Sequence, residues 1–380
     1  MKNIQHQQIA IIGGGPGGLT LARLLQMNGA AVKVYERDPN RQARVQGATL
    51  DLHDESGLLA LKEAGLTAAF EANYRPGADH VRVIDKHAHI VWDDTADKEL
   101  DFSRPEIDRG PLREILLDSL QENTVVWNSQ FMSLLPEGKG WQLQFRDGTT
   151  VRADIVIAAD GANSRIRPYI TPVRPFYSGI TIVEGTVYNA AEACPEIAAL
   201  LKGGKIFAMG DEKSLIVSSK GDGSMVFYTG CKTAEDWCIN NSIDYSDRVQ
   251  VLQWFRETFN DWDPVWSSLL KEAQLPLTVR PQYCMPQNRE WPALPNLTML
   301  GDAAHLMPPY AGEGVNMAML DALELSKRLC DDQFPDLQAA IAAYEQEMRQ
   351  RCAAVADMTM QSTAGLHGPD GIAYLLNIFR

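Results

Sequence analysis

The feature that most constrains this sequence is a glycine-rich turn between two short apolar runs near its N-terminus. The run at residues 9–12 leads into Gly13, Gly15 and Gly18, which have the spacing G-x-G-x-x-G, and a helical stretch follows. In this pattern Gly13 permits the tight turn, Gly15 lets a pyrophosphate approach the backbone, and Gly18 lets helix and strand pack closely. A second apolar run ends at Glu36, 18 residues after Gly18. This is close to the spacing of about 20 residues at which a carboxylate that binds a ribose hydroxyl follows the glycines. The stretch therefore predicts a βαβ unit that binds a dinucleotide.

The composition excludes several classes of protein. A chain of 380 residues is long enough for two domains at about 150 residues each. Its net charge of −14 argues against nucleic acid or an anionic membrane as a partner. No apolar run approaches the length of a membrane span, and the first residues lack the apolar core of a secretory signal. We therefore expect a cytoplasmic protein whose partners are small molecules.

The cysteines and histidines give no sequence sign of a metal site. The six cysteines contain no C-x-x-C pair, so we expect reduced thiols, with a Cys231–Cys238 disulfide as the alternative. His87 and His89 form an H-x-H pattern on a predicted strand, and no third ligand stands nearby in the sequence. We interpret this pair as part of an exposed hairpin. His305 is expected to make a structural hydrogen bond rather than to act as an acid or base.

The spacing of apolar residues changes along the chain. Residues 54–71 have helical spacing, and residues 80–93 alternate as a hairpin. From about residue 172 to residue 284, short β-rich runs between glycine turns indicate an antiparallel sheet. The pattern of buried strand and helix then returns, and the tail from residue 336 is predicted to be one long helix. This order predicts a dinucleotide domain that is interrupted by a β-rich domain.

Two further loops with acidic residues follow predicted strands. Residues 160–167 read D-G-A-N-S-R-I-R, and residues 301–305 read G-D-A-A-H. Asp302 stands at a strand end, where its carboxylate can accept hydrogen bonds from sugar-like hydroxyls. The helix that begins near Gly314 offers unpaired amides and a positive dipole end, which favour negative charge. Taken alone, the Asp-Gly pair predicts only a turn.

Together and in this order, the three motifs resemble the fingerprints of the FAD-dependent aromatic hydroxylases, the family of para-hydroxybenzoate hydroxylase. Residues 160–167 match the family's D-G-x-x-S-x-x-R motif, and residues 301–305 match its G-D-A-A-H motif. Within the family the chain is most similar to the tetracycline-inactivating monooxygenases, over residues 35–53, 109–120 and 299–316. The resemblance implies an α/β fold: a Rossmann-type FAD-binding domain of the GR2-like flavoprotein kind, an inserted antiparallel β-sheet substrate domain and a long C-terminal helix.

This fold implies a division of the chain. We expect a discontinuous FAD-binding domain over residues 1–72, 101–171 and 285–330. The β-rich, substrate-binding domain is then formed by residues 73–100 and 172–284. A C-terminal bridging helix occupies residues 335–380.

The resemblance also implies which residues form the site. Glu36 and Arg37 are expected on the adenosine side of FAD. Arg44 is expected against NADPH, which would bind transiently because no second G-x-G-x-x-G occurs. The expected cofactor-binding residues are Gly13, Gly15, Gly18, Glu36, Arg37, Arg44, Asp51, Arg113, Asp160, Asp302, Gly314, Val315 and Asn316. The expected substrate-contacting residues are Glu184, Lys205, Phe207, Val226, Pro309 and Gly312. No metal and no catalytic side chain is expected, because the cofactor carries the chemistry.

The sequence departs from the family pattern in two places. The turn that reads G-Q-G in the family contains Glu313 here, and a carboxylate near the flavin would oppose an anionic reduced flavin unless it points to solvent. Glu184, Lys205 and Val226 stand where the tetracycline-inactivating relatives carry Gln, Arg and His. These replacements change how a polar multi-ring ligand would be held.

The resemblance implies an FAD-dependent monooxygenase, an NAD(P)H:oxygen oxidoreductase that uses NADPH and O₂ to hydroxylate a multi-ring phenolic or enolic compound. Tetracycline, and therefore antibiotic resistance, is one candidate. The alternatives are a hydroxylase of a simpler aromatic or different polycyclic metabolite, a flavin-dependent halogenase or reductase, and a non-catalytic flavin-bearing protein that sequesters a ligand. The halogenase-type W-x-W-x-I-P is absent from the sequence. We expect a monomer.

Overall fold

The computed structural model describes residues 4, 6–43, 47–94, 104–287 and 290–379. Within these ranges the strands are β1 (Gln8–Ile12), β2 (Ala31–Tyr35), β3 (Leu50–Asp51), β4 (Val81–Asp85), β5 (Ile90–Asp93), β6 (Glu106–Ile107), β7 (Val125–Val126), β8 (Phe131–Glu137), β9 (Gly140–Phe145), β10 (Thr150–Ala153), β11 (Ile155–Ala158), β12 (Phe176–Val187), β13 (Lys205–Gly210), β14 (Lys213–Ser219), β15 (Met225–Lys232), β16 (Thr278–Cys284) and β17 (Leu297–Met299). The α-helices are α1 (Pro16–Met27), α2 (Gly57–Glu63), α3 (Thr67–Glu71), α4 (Arg109–Asp118), α5 (Arg167–Ile170), α6 (Ala190–Ala193), α7 (Pro195–Leu201), α8 (Trp237–Asn240), α9 (Arg248–Thr258), α10 (Ser267–Glu272), α11 (Asp302–His305), α12 (Gly314–Cys330), α13 (Leu337–Leu366) and α14 (Gly371–Phe379). No helix in the described ranges is both long and apolar enough to cross a membrane.

A five-stranded parallel sheet forms the centre of the larger apolar core, in the strand order β17-β11-β1-β2-β7. The buried run 155–158 pairs residue for residue with residues 9–12. Strands of this kind are continuous apolar runs because helices cover both faces of a parallel sheet. The loops that leave β1, β11 and β17 meet at one edge of the sheet, since parallel strands all end on the same side. Gly13, Asp160 and Gly301 stand at this edge.

A seven-stranded sheet forms a second layer, in the order β16-β12-β15-β14-β13-β4-β5. Its neighbouring strands are antiparallel except for β13 and β4, which are parallel. Alternate residues point to opposite faces, and Val183, Val217 and Phe227 belong to a buried cluster with residues of α7, α9 and α10. The other face is turned toward the segment before β3, because the Tyr228 hydroxyl accepts a hydrogen bond from Ala48 N at 2.8 Å.

The C-terminal helices contact both layers. On α13, the Tyr344 hydroxyl donates a hydrogen bond to the Met299 carbonyl of β17 at 3.1 Å. α14 packs on β4 and β13, and Phe379 near its end stacks on Trp92 with ring centroids 5.3 Å apart. The C-terminal segment therefore ties the parallel sheet to the larger antiparallel one.

Two predicted helices are each interrupted in the structure. Residues 54–71 form α2 and α3 rather than one helix, because Gly65 adopts a φ of 72° that ends the first helix. The tail forms α13 and α14 rather than one helix. Gly368 and Pro369 lie between them, and a proline cannot donate the amide hydrogen bond that would continue a helix. The domain boundaries stay a prediction.

The histidine and cysteine predictions have different outcomes. His87 and His89 lie in the turn between β4 and β5 and not on a strand, because their backbone amides donate to the Asp85 carboxylate, each at 2.9 Å. The strand assignment was therefore wrong. All six cysteines are free thiols, so the alternative Cys231–Cys238 disulfide is not formed.

Candidate active site

The glycine turn after β1 has the geometry that its sequence predicts. Gly13 has a φ of 111°, and a Cβ there would lie 2.2 Å from the Ala159 carbonyl oxygen. A Cβ on Gly18 would lie 2.2 Å from the Gly13 carbonyl oxygen. Gly15 differs, because it caps α1 and a Cβ there would meet nothing within 4 Å. The open space at this helix N-terminus fits a pyrophosphate that approaches the backbone.

Glu36 connects the end of β2 to the glycine turn. Its side chain is buried, and its carboxylate accepts hydrogen bonds from Gly14 N at 2.5 Å and from Asp38 N at 3.0 Å. Arg37 beside it is exposed. The carboxylate thus lies against the glycine turn, next to the N-terminus of α1. Arg44 lies outside the described residues.

Arg113 on α4 holds the loop that follows β2. Its guanidinium donates to the Arg41 carbonyl oxygen at 2.7 Å and to Asp38 Oδ2 at 3.2 Å. It also lies over the Trp127 ring, 5.2 Å from the ring centroid. The buried arginine therefore shapes the adenosine end of the predicted cofactor site, next to Glu36.

The loops after β11 and β17 are joined by Arg167, which is absent from the predicted site residues. Its Nε donates to the Ala303 carbonyl at 2.7 Å, and one terminal nitrogen donates to the carbonyls of Asp302 and Ala162, each at 2.9 Å. Ser164 Oγ accepts from the Arg167 amide at 3.0 Å. Arg167 is the final residue of the D-G-x-x-S-x-x-R motif, so the motif itself carried the signal.

Two carboxyl groups lie on these joined loops. Asp160 Oδ2 accepts from the Arg165 amide at 2.8 Å. Burial raises the pKa of Asp160, and burial also raises the pKa of Asp302 against the opposing charges of His305, Arg109 and Arg167. A partly buried carboxyl of this kind is suited to accept hydrogen bonds from ligand hydroxyls.

The N-terminus of α12 faces the same edge. Gly314 begins the helix, and a Cβ there would lie 3.9 Å from Asp302 Oδ1. The buried Asn316 side chain donates to the Asp51 carbonyl at 2.9 Å and accepts from His53 N at 3.0 Å. Because its side chain is engaged with β3, Asn316 has its backbone amide left for the predicted cofactor, at a helix start where Gly314 and Val315 also present backbone amides.

Asp51, His53 and Glu313 form a chain of titratable groups beside this helix end. His53 Nε2 lies 3.2 Å from Asp51 Oδ2, and its Nδ1 lies 3.6 Å from Glu313 Oε1. Burial opposes a raised pKa at His53, but Asp51 and Glu313 raise that pKa overall. Burial raises the pKa of Glu313, whose side chain is only 13 % exposed. Glu313 therefore points at His53 and not to solvent.

Four partly exposed residues lie in one row across the antiparallel sheet. Glu184 is directly opposite Tyr228, Tyr228 is opposite Ile216, and Ile216 is opposite Phe207. This row faces away from the helices that cover the other side of the sheet. Of the four, Glu184 and Phe207 were predicted as substrate contacts. Tyr228 and Ile216 were missed, although strand alternation places Tyr228 on the same face as Val226.

The next row contains Val226 and Lys205, with Ser218 between them. Val226 is fully buried, so its side chain offers no surface to a ligand in this structure. Lys205 donates a hydrogen bond to the buried Glu106. Glu184 is paired with Arg280, whose Nε lies 2.7 Å from Glu184 Oε2.

The loop before α12 faces the same side of the sheet. A Cβ on Gly230 of β15 would lie 2.6 Å from the Tyr310 hydroxyl. Gly312 has a φ of 72° and lies against Asp51, whose carboxylate would be 3.1 Å from a Cβ at this position. Pro309 is exposed. The structure thus brings Gly312 and the sheet face toward one cleft, while Phe379 closes one end of the row by its ring contact with Phe207, 5.9 Å between centroids.

His305 lies at the end of the loop that follows β17 and is held there by Asp321. Its Nε2 lies 2.5 Å from Asp321 Oδ2, which also accepts from Gly301 N at 2.9 Å. Arg351 on α13 donates to the other oxygen of Asp321 at 2.6 Å. Burial opposes protonation of His305, but Cys352 and Asp321 raise its pKa to about 10. The bond from Nε2 of this buried imidazole to Asp321 agrees with the structural role that was predicted.

Comparison with known proteins identifies FAD-binding monooxygenases as similar to this chain. The family of FAD binding domains matches residues 6–257 and 293–359. Monooxygenase asqM of Emericella nidulans is 30 % identical over 377 residues, covering 85 % of this chain and 83 % of that protein. The 6-hydroxynicotinate 3-monooxygenase of Pseudomonas fluorescens is 28 % identical over 372 residues, covering 94 % and 92 %. The crystal structure of tetracycline destructase Tet(55) is 19 % identical, with a TM-score of 0.75 and coverage of 98 % and 94 %; at that identity the likeness concerns the fold alone.

A dinucleotide cradle at the edge of a parallel sheet, set against a second antiparallel sheet, defines the class of FAD-dependent monooxygenases. The chain belongs to the FAD binding domain family of para-hydroxybenzoate hydroxylase-like enzymes. The predicted family, fold class and enzyme class are therefore confirmed.

Proposed function

We propose that the protein uses NADPH and O₂ to hydroxylate a multi-ring phenolic or enolic compound, with tetracyclines as one candidate class. The observation that carries this proposal is the row formed by Glu184, Tyr228, Ile216 and Phe207. Neighbouring strands lie about 4.8 Å apart, so a row over four strands extends about 14 Å. That length exceeds a single aromatic ring and suits a ligand with several fused rings.

The cofactor-binding residues have separate tasks in this proposal. The open N-terminus of α1 beside Gly15 would bind the pyrophosphate, and Glu36 would lie beside the adenosine ribose. Asp302 and the amides at the start of α12 would bind the flavin end. When bound, FAD supplies the redox chemistry, by accepting hydride from NADPH and activating O₂. The protein's task is to hold the substrate and keep water from the reacting atoms.

The substrate would be oriented by Tyr228 and Glu184. The Tyr228 hydroxyl accepts from Ala48 N, which leaves its O–H to donate to a phenolic or enolic oxygen. Burial raises the pKa of Tyr228, so this O–H stays a neutral donor. Glu184 is an acceptor for a ligand hydroxyl, and Phe207 offers an apolar face for ring packing.

The names of one relative and of one structural neighbour specify substrates of two sizes. The name of the Pseudomonas fluorescens enzyme specifies 6-hydroxynicotinate, a one-ring compound. The name of Tet(55) specifies tetracycline, a four-ring compound. A role for Arg44 with NADPH and a monomeric state are further parts of the proposal, which rest on the family resemblance.

The proposal is tested with FAD-loaded protein, NADPH or NADH, and a panel made of a tetracycline, 4-hydroxyquinoline, 6-hydroxynicotinate and phenol. Nicotinamide oxidation and product mass are followed together under oxygen-18 gas. We expect a multi-ring compound to stimulate NADPH oxidation and to gain one labelled oxygen atom. If only one-ring compounds gain oxygen, the enzyme is a hydroxylase of simpler aromatics. A ligand that binds without stimulating oxidation would support the sequestering alternative.

A further inference from the structure

The cations on the ligand-facing side of the seven-stranded sheet already have carboxylate partners. Lys205 is hydrogen-bonded to Glu106, and Arg280 is paired with Glu184. Two further cations are also paired: Lys232 of β15 lies 3.0 Å from Glu212, and Lys220, which follows the end of β14, lies 3.8 Å from Asp222. Within the part of the sheet that the structure describes, no lysine or arginine of this face lacks an acidic partner.

The Lys205–Glu106 pair is the most buried of these pairs near the row. The Glu106 side chain is 2 % exposed and that of Lys205 is 17 % exposed. Arg280, in contrast, is 57 % exposed, and water screens its pair with Glu184. Removing one partner of a buried pair is costly because it leaves an uncompensated charge. A ligand carboxylate could therefore recruit Lys205 only at the expense of Glu106.

A second carboxylate, that of Asp51, lies beside Glu106, because the two residues are direct partners across β3 and β6. Asp51 lies close enough to Lys205 for the lysine's charge to lower the Asp51 pKa, and Glu313 follows beyond His53. A further cation, Arg109, stands nearer the middle of the row: its Nε donates to the Ala48 carbonyl at 3.1 Å, and Ala48 N donates to the Tyr228 hydroxyl. The β13 end of the row thus has two carboxylates, Glu106 and Asp51, beside one lysine, whereas the β15 position has an arginine nearby.

We infer that this cleft selects substrates that are uncharged or cationic where they meet β13, and that it discriminates against aromatic ligands whose carboxylate would lie there. The inference rests on the proposed function and narrows its substrate class. At this end an anionic group would lose its hydration beside Glu106 and Asp51, and the ammonium group there, that of Lys205, is already hydrogen-bonded to Glu106. Like charges placed together are the usual means of rejecting a competing ligand. The preference would separate this enzyme from the relative whose name specifies 6-hydroxynicotinate.

The test compares two ligands that differ in one group, 4-hydroxyquinoline-2-carboxylate and its carboxamide. Their dissociation constants are measured on the full-length, FAD-loaded protein from the change in flavin absorbance. We expect the wild-type protein to bind the amide at least about tenfold more tightly than the carboxylate. The substitution Glu106→Gln frees the Lys205 ammonium, and we expect it to reduce this ratio by about tenfold. Adding Lys205→Met to that variant removes the freed cation and should restore the preference for the amide.

Two further variants distinguish an effect of the charge on ligand binding from a general loss of folded protein. Glu137→Gln changes an exposed carboxylate on β8 and should leave the ratio at the wild-type value. Glu184→Gln frees the more exposed Arg280 and should change the ratio in the same direction as Glu106→Gln, by about two- to threefold because of solvent screening. This second variant tests the inference even if Glu106→Gln fails to fold.

Wild-type protein that binds the carboxylate as tightly as the amide would overturn the inference. An unchanged ratio in folded Glu106→Gln would do the same. Product analysis keeps the proposed function separate. If the amide binds preferentially but no ligand gains oxygen, the selectivity stands and the proposed reaction fails. If both ligands are hydroxylated and bind equally, the reaction stands and the selectivity fails.

Discussion

The predicted cofactor cradle and the proposed ligand-facing side of the seven-stranded sheet are built in different ways. The cradle is mostly backbone: positions such as Gly13 and Gly18 have no room for a Cβ, and Arg167 joins two loops through their carbonyls. The ligand-facing side is made of side chains, among them Tyr228 and Phe207, that alternate along separate strands. A backbone site needs particular residues at fixed spacing, whereas an alternating face accepts many residue types. The two regions should therefore respond differently to substitution.

The largest difference is expected between two alanine substitutions inside the glycine turn. Gly13→Ala should destabilise the protein by more than about 4 kcal/mol, because the new Cβ would lie 2.2 Å from the Ala159 carbonyl oxygen at a φ of 111°. Gly15→Ala should leave the melting temperature of the FAD-free protein close to the wild-type value, since no atom lies within 4 Å of its Cβ. It should still weaken FAD binding at least about tenfold, because the methyl group occupies the approach of the pyrophosphate.

The two effects are measured by thermal unfolding of FAD-free protein and by FAD titration. If Gly15→Ala bound FAD as tightly as the wild-type protein, the pyrophosphate would not approach this turn. If Gly13→Ala unfolded at the wild-type temperature, the backbone at residue 13 would have moved to make room for the methyl group, and this turn would not be rigid.

The second largest effect is expected at the join between the two acidic loops. Arg167→Gln should lower the free energy of unfolding by about 2–4 kcal/mol, because charged donors to one buried and two partly buried carbonyls are lost. FAD retention during gel filtration should fall with it. Arg165→Gln is the matched control, since the Arg165 side chain is exposed and its backbone amide, which binds Asp160, is unchanged. Equal loss of FAD from both variants would show that Arg167 has no special role in joining the loops.

The third prediction concerns a buried carboxyl behind the cradle. Glu345 accepts hydrogen bonds from Trp291 and from Thr298 of β17, each at 2.8 Å, and burial raises its pKa from 4.5 to about 7. The folded state thus binds the Glu345 proton more tightly than the unfolded state does. The contribution of Glu345 to the free energy of unfolding is therefore largest below pH 4.5 and falls as the pH rises through 7. The loss can reach about 3 kcal/mol at 1.36 kcal/mol per pKa unit.

Glu345→Gln should therefore reduce the loss of stability between pH 5 and pH 8, measured by urea unfolding at each pH. The substituted amide keeps one acceptor oxygen but no longer ionises. Glu122→Gln, at an exposed position, should leave the pH dependence unchanged. If Glu345→Gln loses as much stability between pH 5 and pH 8 as the wild-type protein, other titratable groups cause that loss.

The same contrast explains which parts of the molecule could be predicted from the sequence. The cradle follows local spacing: three glycines, an Asp-Gly turn and a Gly-Asp turn each lie directly after a strand. Glu106 had no such signal, because it meets Lys205 only after strands 99 residues apart come together. Val226 was expected at the ligand, but alternation along β15 gives no information on depth, and its neighbours bury it completely. Side-chain sites formed by distant strands depend on pairing that no short motif encodes.

The smallest effect is expected from Glu313, where the two regions meet. Its carboxylate stands in the turn that begins α12 and lies 3.6 Å from His53 Nδ1. A negative charge here opposes an anionic reduced flavin, but the neighbouring imidazole offsets part of it. Glu313→Gln should therefore raise the two-electron midpoint potential of bound FAD by about 10–30 mV, where 30 mV corresponds to about 1.4 kcal/mol. Glu55→Gln, an exposed neighbour whose charge also acts on Glu313, serves as control in the same dye-equilibrated redox titration. Equal shifts in both variants would mean that the flavin responds to the summed charge of the protein surface and not to Glu313 in particular. A shift confined to Glu313→Gln would show that this carboxylate, which lies between the cradle and the cleft, acts directly on the flavin potential.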